Sequence, residues 1–109
     1  MSLTGKWRIV EMPDYETGFL DMIEPAYILF DGQGGGEFAF GCVTGGIYGA
    51  GDADLVAFTW HGNDEMDEAN GDGWAHPQAD GSIKGEICFH GGDEASFNAR
   101  PWPTSSTAC

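Results

Sequence analysis

Two of the three histidines in this chain stand in the same short frame. Trp60-His61-Gly62-Asn63-Asp64-Glu65 reads aromatic, His, Gly, small residue, Asp, Glu, and Phe89-His90-Gly91-Gly92-Asp93-Glu94 repeats that order over six positions. Imidazole combined with carboxylate suits zinc, manganese or iron. If the two copies converge, His61, Asp64, Glu65, His90, Asp93 and Glu94 form a candidate metal-ligand set, and a divalent cation is the cofactor they imply. The same acids beside a histidine are raw material for general acid–base catalysis, so a metal-dependent enzyme is one alternative reading.

Other reactive groups are less organised. Glu68-Ala69-Asn70-Gly71-Asp72-Gly73 partly follows the opening of a calcium loop, but the twelfth position is Ala79 where a bidentate Glu is needed. A solvated acidic loop over Gly62 to Gly73 is the expectation there, with Asp and Asn making local turns. No serine has a nucleophile-elbow context. Gly32 to Gly36 follows a strand-like run with no Lys beside it, which suits a hairpin turn better than a phosphate cradle. A non-enzymatic protein is therefore preferred.

A binding protein is the more economical idea. Aromatic residues make up 13% of the chain, and Trp60, Trp74, Phe89, Tyr27 and Tyr48 are the candidate ligand contacts. A small barrel mouth can hold one apolar or aromatic molecule, although the same rings can simply fill the interior. An exposed aromatic strand edge would instead favour a homodimer.

Those residues need a scaffold, and composition describes it. With 109 residues, 41% hydrophobic, the chain suits a single packed domain, expected over 1–103 with a disordered polar tail at 104–109. Glycine occurs 18 times without a collagen period, which predicts many tight turns. Four basic residues against 18 acidic ones give a formal net charge of -14. Such a surface repels phosphate backbones and anionic lipid, which excludes nucleic acid and membrane surfaces as partners. It suits solubility, a cation site, or an acidic interaction module that mimics nucleic acid.

Cys42, Cys88 and Cys109 show no metal-type spacing, and no signal peptide or apolar run of membrane length occurs. A cytoplasmic protein with reduced thiols is expected. Cys42 and Cys88 then read as small core residues and Cys109 as part of the tail.

The apolar periodicity is that of strands. Leu3 to Met12 alternates, with Trp7 and Ile9 on one face, and Pro13 stops it. Asp14 to Glu24 carries enough apolar residues for one helical turn or a lid. Ala26 to Asp31 and Glu37 to Val43 form a hairpin, and Gly45-Gly46 predicts a break before a short strand around Ile47 and Tyr48. Leu55 to His61 puts Val56, Phe58 and Trp60 on one face. Later strands run from Trp74 to His76, Ile83 to His90 and Ala95 to Arg100, with Asp80-Gly81 and Gly91-Gly92 as turns. The fold class is all-β. A single antiparallel meander of about eight short strands closing into a small barrel is expected, with a β-sandwich as the alternative. Parity sends Trp60 and Phe89 inward and the adjacent histidines outward.

Gly5-Lys6-Trp7 resembles the Gly-x-Trp with which lipocalin-like and avidin-like (calycin) barrels begin their first strand. Val43-Thr44-Gly45-Gly46-Ile47-Tyr48 is similar to the second-strand motif of avidins. The resemblance implies a barrel with a basic residue of the last strand, here Arg100, packed over Trp7 as a cation on an indole face. The internal Thr-Asp-Tyr motif of lipocalins and a biotin-binding set have no equivalent here, so the resemblance implies architecture and no particular ligand. The chain as a whole, including Gly62-Asn63-Asp64-Glu65 and Gly71-Asp72-Gly73-Trp74-Ala75, resembles small bacterial proteins of about this length that have no assigned activity.

Overall fold

Alternating burial sorts the strands into an inner and an outer face. Along Val56–Asp64, for example, Val56, Phe58 and Trp60 are buried while Ala57, Thr59 and His61 are exposed. The computed structural model describes residues 4–13, 25–51 and 55–102. They form eight strands: β1 (Gly5–Glu11), β2 (Tyr27–Phe30), β3 (Gly36–Phe40), β4 (Val43–Tyr48), β5 (Val56–Asp64), β6 (Asp67–Pro77), β7 (Ile83–Phe89) and β8 (Glu94–Pro101).

Each strand pairs antiparallel with the next, and β8 returns to β1, closing the meander into a barrel. Trp7 faces Pro101 and Ile9 faces Ala99 across that seam, with a register shift between Ile9 and Glu11. Closure leaves no free sheet edge among these strands, which answers the exposed-edge problem of a short β protein. The barrel is the expected architecture, and the sandwich alternative is excluded. It is also compatible with the calycin resemblance. No described helix is long and apolar enough to cross a membrane.

The core is the barrel interior. Trp7, Ile9, Ile28, Phe30, Phe38, Phe40, Trp60, Ile83, Ile87 and Phe97 are all buried there, and no polar or charged residue among those described is buried with them. Trp60 meets Phe38 edge-on at 5.2 Å and Phe89 edge-on at 5.2 Å. Its indole Nε1–H donates to the Cys88 carbonyl at 3.1 Å, so the buried ring keeps a hydrogen-bond partner.

So many rings fit because glycines face them. In register, Phe38 lies opposite Gly45, Phe58 opposite Gly73, Trp60 opposite Gly71 and Phe97 opposite Gly85. A β-carbon at Gly45 would stand 2.7 Å from the Phe38 ring, one at Gly73 2.7 Å from the Phe58 ring, and one at Gly85 2.8 Å from the Phe97 ring. Many of the chain's glycines therefore make room inside strands instead of making turns. This corrects the turn-only reading of their number.

Three further expectations change. Gly45-Gly46 is no break, because β4 runs unbroken from Val43 to Tyr48. The stretch from Gly62 to Gly73 is no loop either. Asp64 pairs with Asp67, Glu65 (φ 58°) and Met66 make the turn, and Asp67 onward is strand. Backbone pairing with β5 and β7 holds this acidic segment extended, with Ala69, Gly71, Gly73 and Ala75 on its inner face.

Arg100 is the third correction. It faces outward, 3.8 Å from Asp80, while Trp7 faces inward. The cation over an indole is made instead by Lys6, whose Nζ lies 4.0 Å from the Trp102 ring centroid. The helical turn or lid expected over Asp14 to Glu24, the 104–109 tail and Cys109 lie outside the described residues.

Candidate functional site

Register aligns outward side chains into rungs that cross several strands. One rung runs Tyr48, Thr59, Asp72, Cys88, Glu94 from β4 to β8, and the next runs Ala57, Trp74, Glu86, Ser96 from β5 to β8. Neighbouring strands lie about 4.8 Å apart, so each rung is a row of side chains in contact range.

Between Tyr48 and Trp74 only the small side chains Ala57 and Thr59 occupy β5, and a solvent-open groove of about 480 Å³ results. Its floor includes Phe58 and Gly73, and Asp72 and Cys88 complete one side. Tyr48 is 58% exposed and folds back along β4, with its hydroxyl over Gly46, where a β-carbon would stand 3.2 Å away. Trp74 is half-buried, and its Nε1–H donates to Glu86 Oε1 at 3.0 Å, which fixes the indole at the groove wall.

The acidic side of the groove centres on Cys88. Glu86, Cys88 and Glu94 offer donor atoms within 4.8 Å of one another, and Asp72 pairs with Cys88 across the β6–β7 ladder. Burial pushes the thiol's pKa up, and the negative charges of Asp72, Glu86 and Glu94 push it further in the same direction. A protonated thiol ringed by carboxylates is a weak nucleophile and a strong cation attractor. Among the described residues, no ion pair engages Asp72, Glu86 or Glu94.

The aromatic residues expected at a ligand site divide between three places. Tyr48 and Trp74 border the outer groove. Trp60 and Phe89 meet each other at the inner face. Tyr27 stands on the outer face of β2, where its hydroxyl donates to Glu37 and Lys6 Nζ lies 4.6 Å from its ring centroid.

The histidine frames come to one end of the barrel. His61 faces Asn70 across the β5–β6 ladder, and the His90 backbone N–H donates to the Asn70 carbonyl at 2.7 Å, so the histidines flank β6. That separates their backbones by two strand spacings, roughly 10 Å. His61 is exposed, with Nε2 3.8 Å from Glu68. Asp64 and Glu65 lie at the β5–β6 turn and Asp93 in the β7–β8 turn, where its carbonyl accepts from Phe89. Glu94 belongs instead to the Cys88 rung.

Sequence reasoning assigns no role to Glu86 and reads Asp72 only as part of an incomplete calcium loop. Cys88, expected in the core, faces outward and half-buried, and Cys42 is half-buried in the turn between β3 and β4. Parity could have found Cys88, since it alternates with the buried Ile87. Asp72 was hidden because its strand reads as a polar loop. No protein-family model, curated protein or solved structure matches this chain.

Proposed function

We propose that this barrel is a non-enzymatic small-molecule-binding protein and that its ligand seat is the outer groove between Tyr48 and Trp74. The observation that carries the reading is the groove itself: about 480 Å³, bounded by two aromatic side chains and floored by small and apolar ones. That volume lies within the roughly 300–1,000 Å³ of known small-molecule sites. The strands bearing the two rings are two spacings apart, roughly 10 Å, which leaves room for one flat ring between them. Strands carry every lining residue except Gly49, so most of the seat is held by the barrel ladder before a ligand arrives.

The test is a titration of the full-length protein with a neutral planar fluorophore, N-phenyl-1-naphthylamine. Saturable enhancement at one site per chain is expected, and Trp74→Ala should weaken it by about tenfold, the loss expected of an aromatic contact worth about 1.4 kcal/mol. Unchanged affinity in Trp74→Ala, with the barrel intact by circular dichroism, would remove the outer groove as the seat.

A further inference from the structure

We infer that the groove selects a small organic cation, an ammonium or guanidinium group carried on an apolar or planar body. The inference rests on the groove being the ligand seat, and it names the ligand class of that site.

Three observations carry it. The first is uncompensated charge. Asp72 lines the groove, Glu86 stands next to it behind Trp74, and Glu94 lies one strand further along the Asp72–Cys88 rung. None of the three forms an ion pair among the described residues. Lys84, the outward basic residue of β7, pairs in register with His76 and Asn98, two residues beyond Glu86 on the side away from Cys88. Like charges held this close without a partner are a cost that an added cation relieves.

The second observation is the pair of aromatic faces. A cation attracted by Asp72 enters a groove bordered by the Trp74 and Tyr48 rings, whose electron-rich faces favour positive charge. The indole donor of Trp74 is already committed to Glu86, so a ligand in the groove meets this side chain as an aromatic ring and not as a donor. The raised thiol pKa of Cys88 fits the same picture, because a neutral thiol at the centre of the cluster leaves the carboxylates as the cation's counter-charge.

The third is that the outer surface of this barrel already seats an ammonium in this way. Lys6 Nζ stands 4.6 Å from the Tyr27 ring centroid and 4.0 Å from that of Trp102. The Tyr48 and Trp74 pair, with Asp72 beside it, offers comparable chemistry, and among the described residues no basic side chain lines it.

The experiment compares three soluble probes that share a benzene ring and differ in charge: benzyltrimethylammonium, benzyl alcohol and benzenesulfonate. Isothermal titration or NMR shift mapping of the full-length protein should show the cation binding about tenfold or more tightly than the alcohol, with no sulfonate binding. The gap should shrink as salt is raised. Replacing Asp72 with Asn and Glu86 and Glu94 with Gln removes the charges while leaving an acceptor for Trp74. That triple variant, with the barrel intact by circular dichroism, should bind the cation no better than the alcohol. Equal affinity for cation and alcohol, or full cation affinity in the triple variant, would overturn the inference and leave the groove reading standing. Probe binding that Trp74→Ala does not affect would overturn both. Stoichiometric zinc binding that excludes benzyltrimethylammonium and is lost in Cys88→Ser would reassign the cluster as a metal site.

Discussion

Phe97 on β8 lies directly opposite Gly85 on β7, with its ring 2.8 Å from where a β-carbon on Gly85 would stand. The same relation joins Phe38 to Gly45 and Phe58 to Gly73 on the inner face. In a barrel of eight short strands the interior holds few side chains, and a phenyl ring can lie across its neighbour strand only where that strand carries no side chain. Glycine, a poor strand former by itself, is retained here by the packing of its partner.

The two kinds of glycine site should respond differently to substitution. At Gly45 the atoms nearest a new methyl are side-chain atoms, of the Phe38 ring and Trp60. At Gly85 it would also overlap the Trp74 carbonyl oxygen, which cannot move without disturbing the ladder. Gly45→Ala is expected to cost about 1–3 kcal/mol, typical of an overpacked core, and Gly85→Ala more. Adding Phe38→Leu should recover part of the loss in Gly45→Ala, while Phe97→Leu should recover little in Gly85→Ala. Urea unfolding of the four variants checks this, and equal rescue in both pairs would contradict the backbone argument.

The strand periodicity of Val56, Phe58 and Trp60 and the turns at Asp80-Gly81 and Gly91-Gly92 make most of the barrel legible from sequence. Segments rich in glycine and acid were not legible. Glu68 to Gly73 has no apolar alternation, because its inward positions are Ala69, Gly71 and Gly73, selected for smallness. Its strand state comes from pairing on both sides, which is tertiary information. The groove was hidden for the same reason. Its rungs exist only once β6 is a strand, and only then do Asp72, Cys88 and Glu94 fall into one row.

Cys88 should be a sluggish thiol. Burial first, and then the charges of Asp72, Glu86 and Glu94, raise its pKa from the ordinary value of 9.0. Alkylation by iodoacetamide at pH 8 should therefore run several-fold slower than for a free cysteine at equal concentration. Asp72→Asn should lower the pKa toward normal and speed the reaction, because it removes one repelling charge. A pH–rate profile identical for the wild type and Asp72→Asn would show that these carboxylates do not act on the thiol.

Asp80 supplies a pH dependence of opposite sign. Its Oδ1 accepts the Ser82 hydroxyl at 2.6 Å and the Ser82 backbone N–H at 3.0 Å, and Arg100 lies 3.8 Å from Oδ2. The Ser82 hydroxyl is the leading cause that lowers its pKa from 3.8. A carboxyl whose folded pKa is depressed stabilises the fold at pH above the unfolded value. That contribution is lost as pH falls through the folded value. Carboxyl NMR titration should find Asp80 below 3.8 in the wild type and shifted upward in Ser82→Ala. Because the side chain is exposed, the accompanying stability change should be small and confined to acid pH. An unshifted Asp80 in Ser82→Ala would assign the effect to the Ser82 backbone N–H and to Arg100, both of which that variant keeps.

The bond from Trp74 Nε1 to Glu86 Oε1, 3.0 Å long, ties the groove wall to the acidic cluster. Glu86→Gln keeps an acceptor and removes a charge, whereas Glu86→Ala removes both. If the bond fixes the indole, Glu86→Ala should cost about 1–2 kcal/mol, the range for a hydrogen bond to a charged acceptor on a half-buried donor. It should also broaden the Trp74 indole N–H resonance, while Glu86→Gln leaves that resonance sharp with little loss of stability. The reverse order, with Glu86→Gln the more damaging, would mean that charge and not the hydrogen bond holds the ring. Equal stability of all three proteins would mean that Trp74 is positioned by its packing over β6 alone.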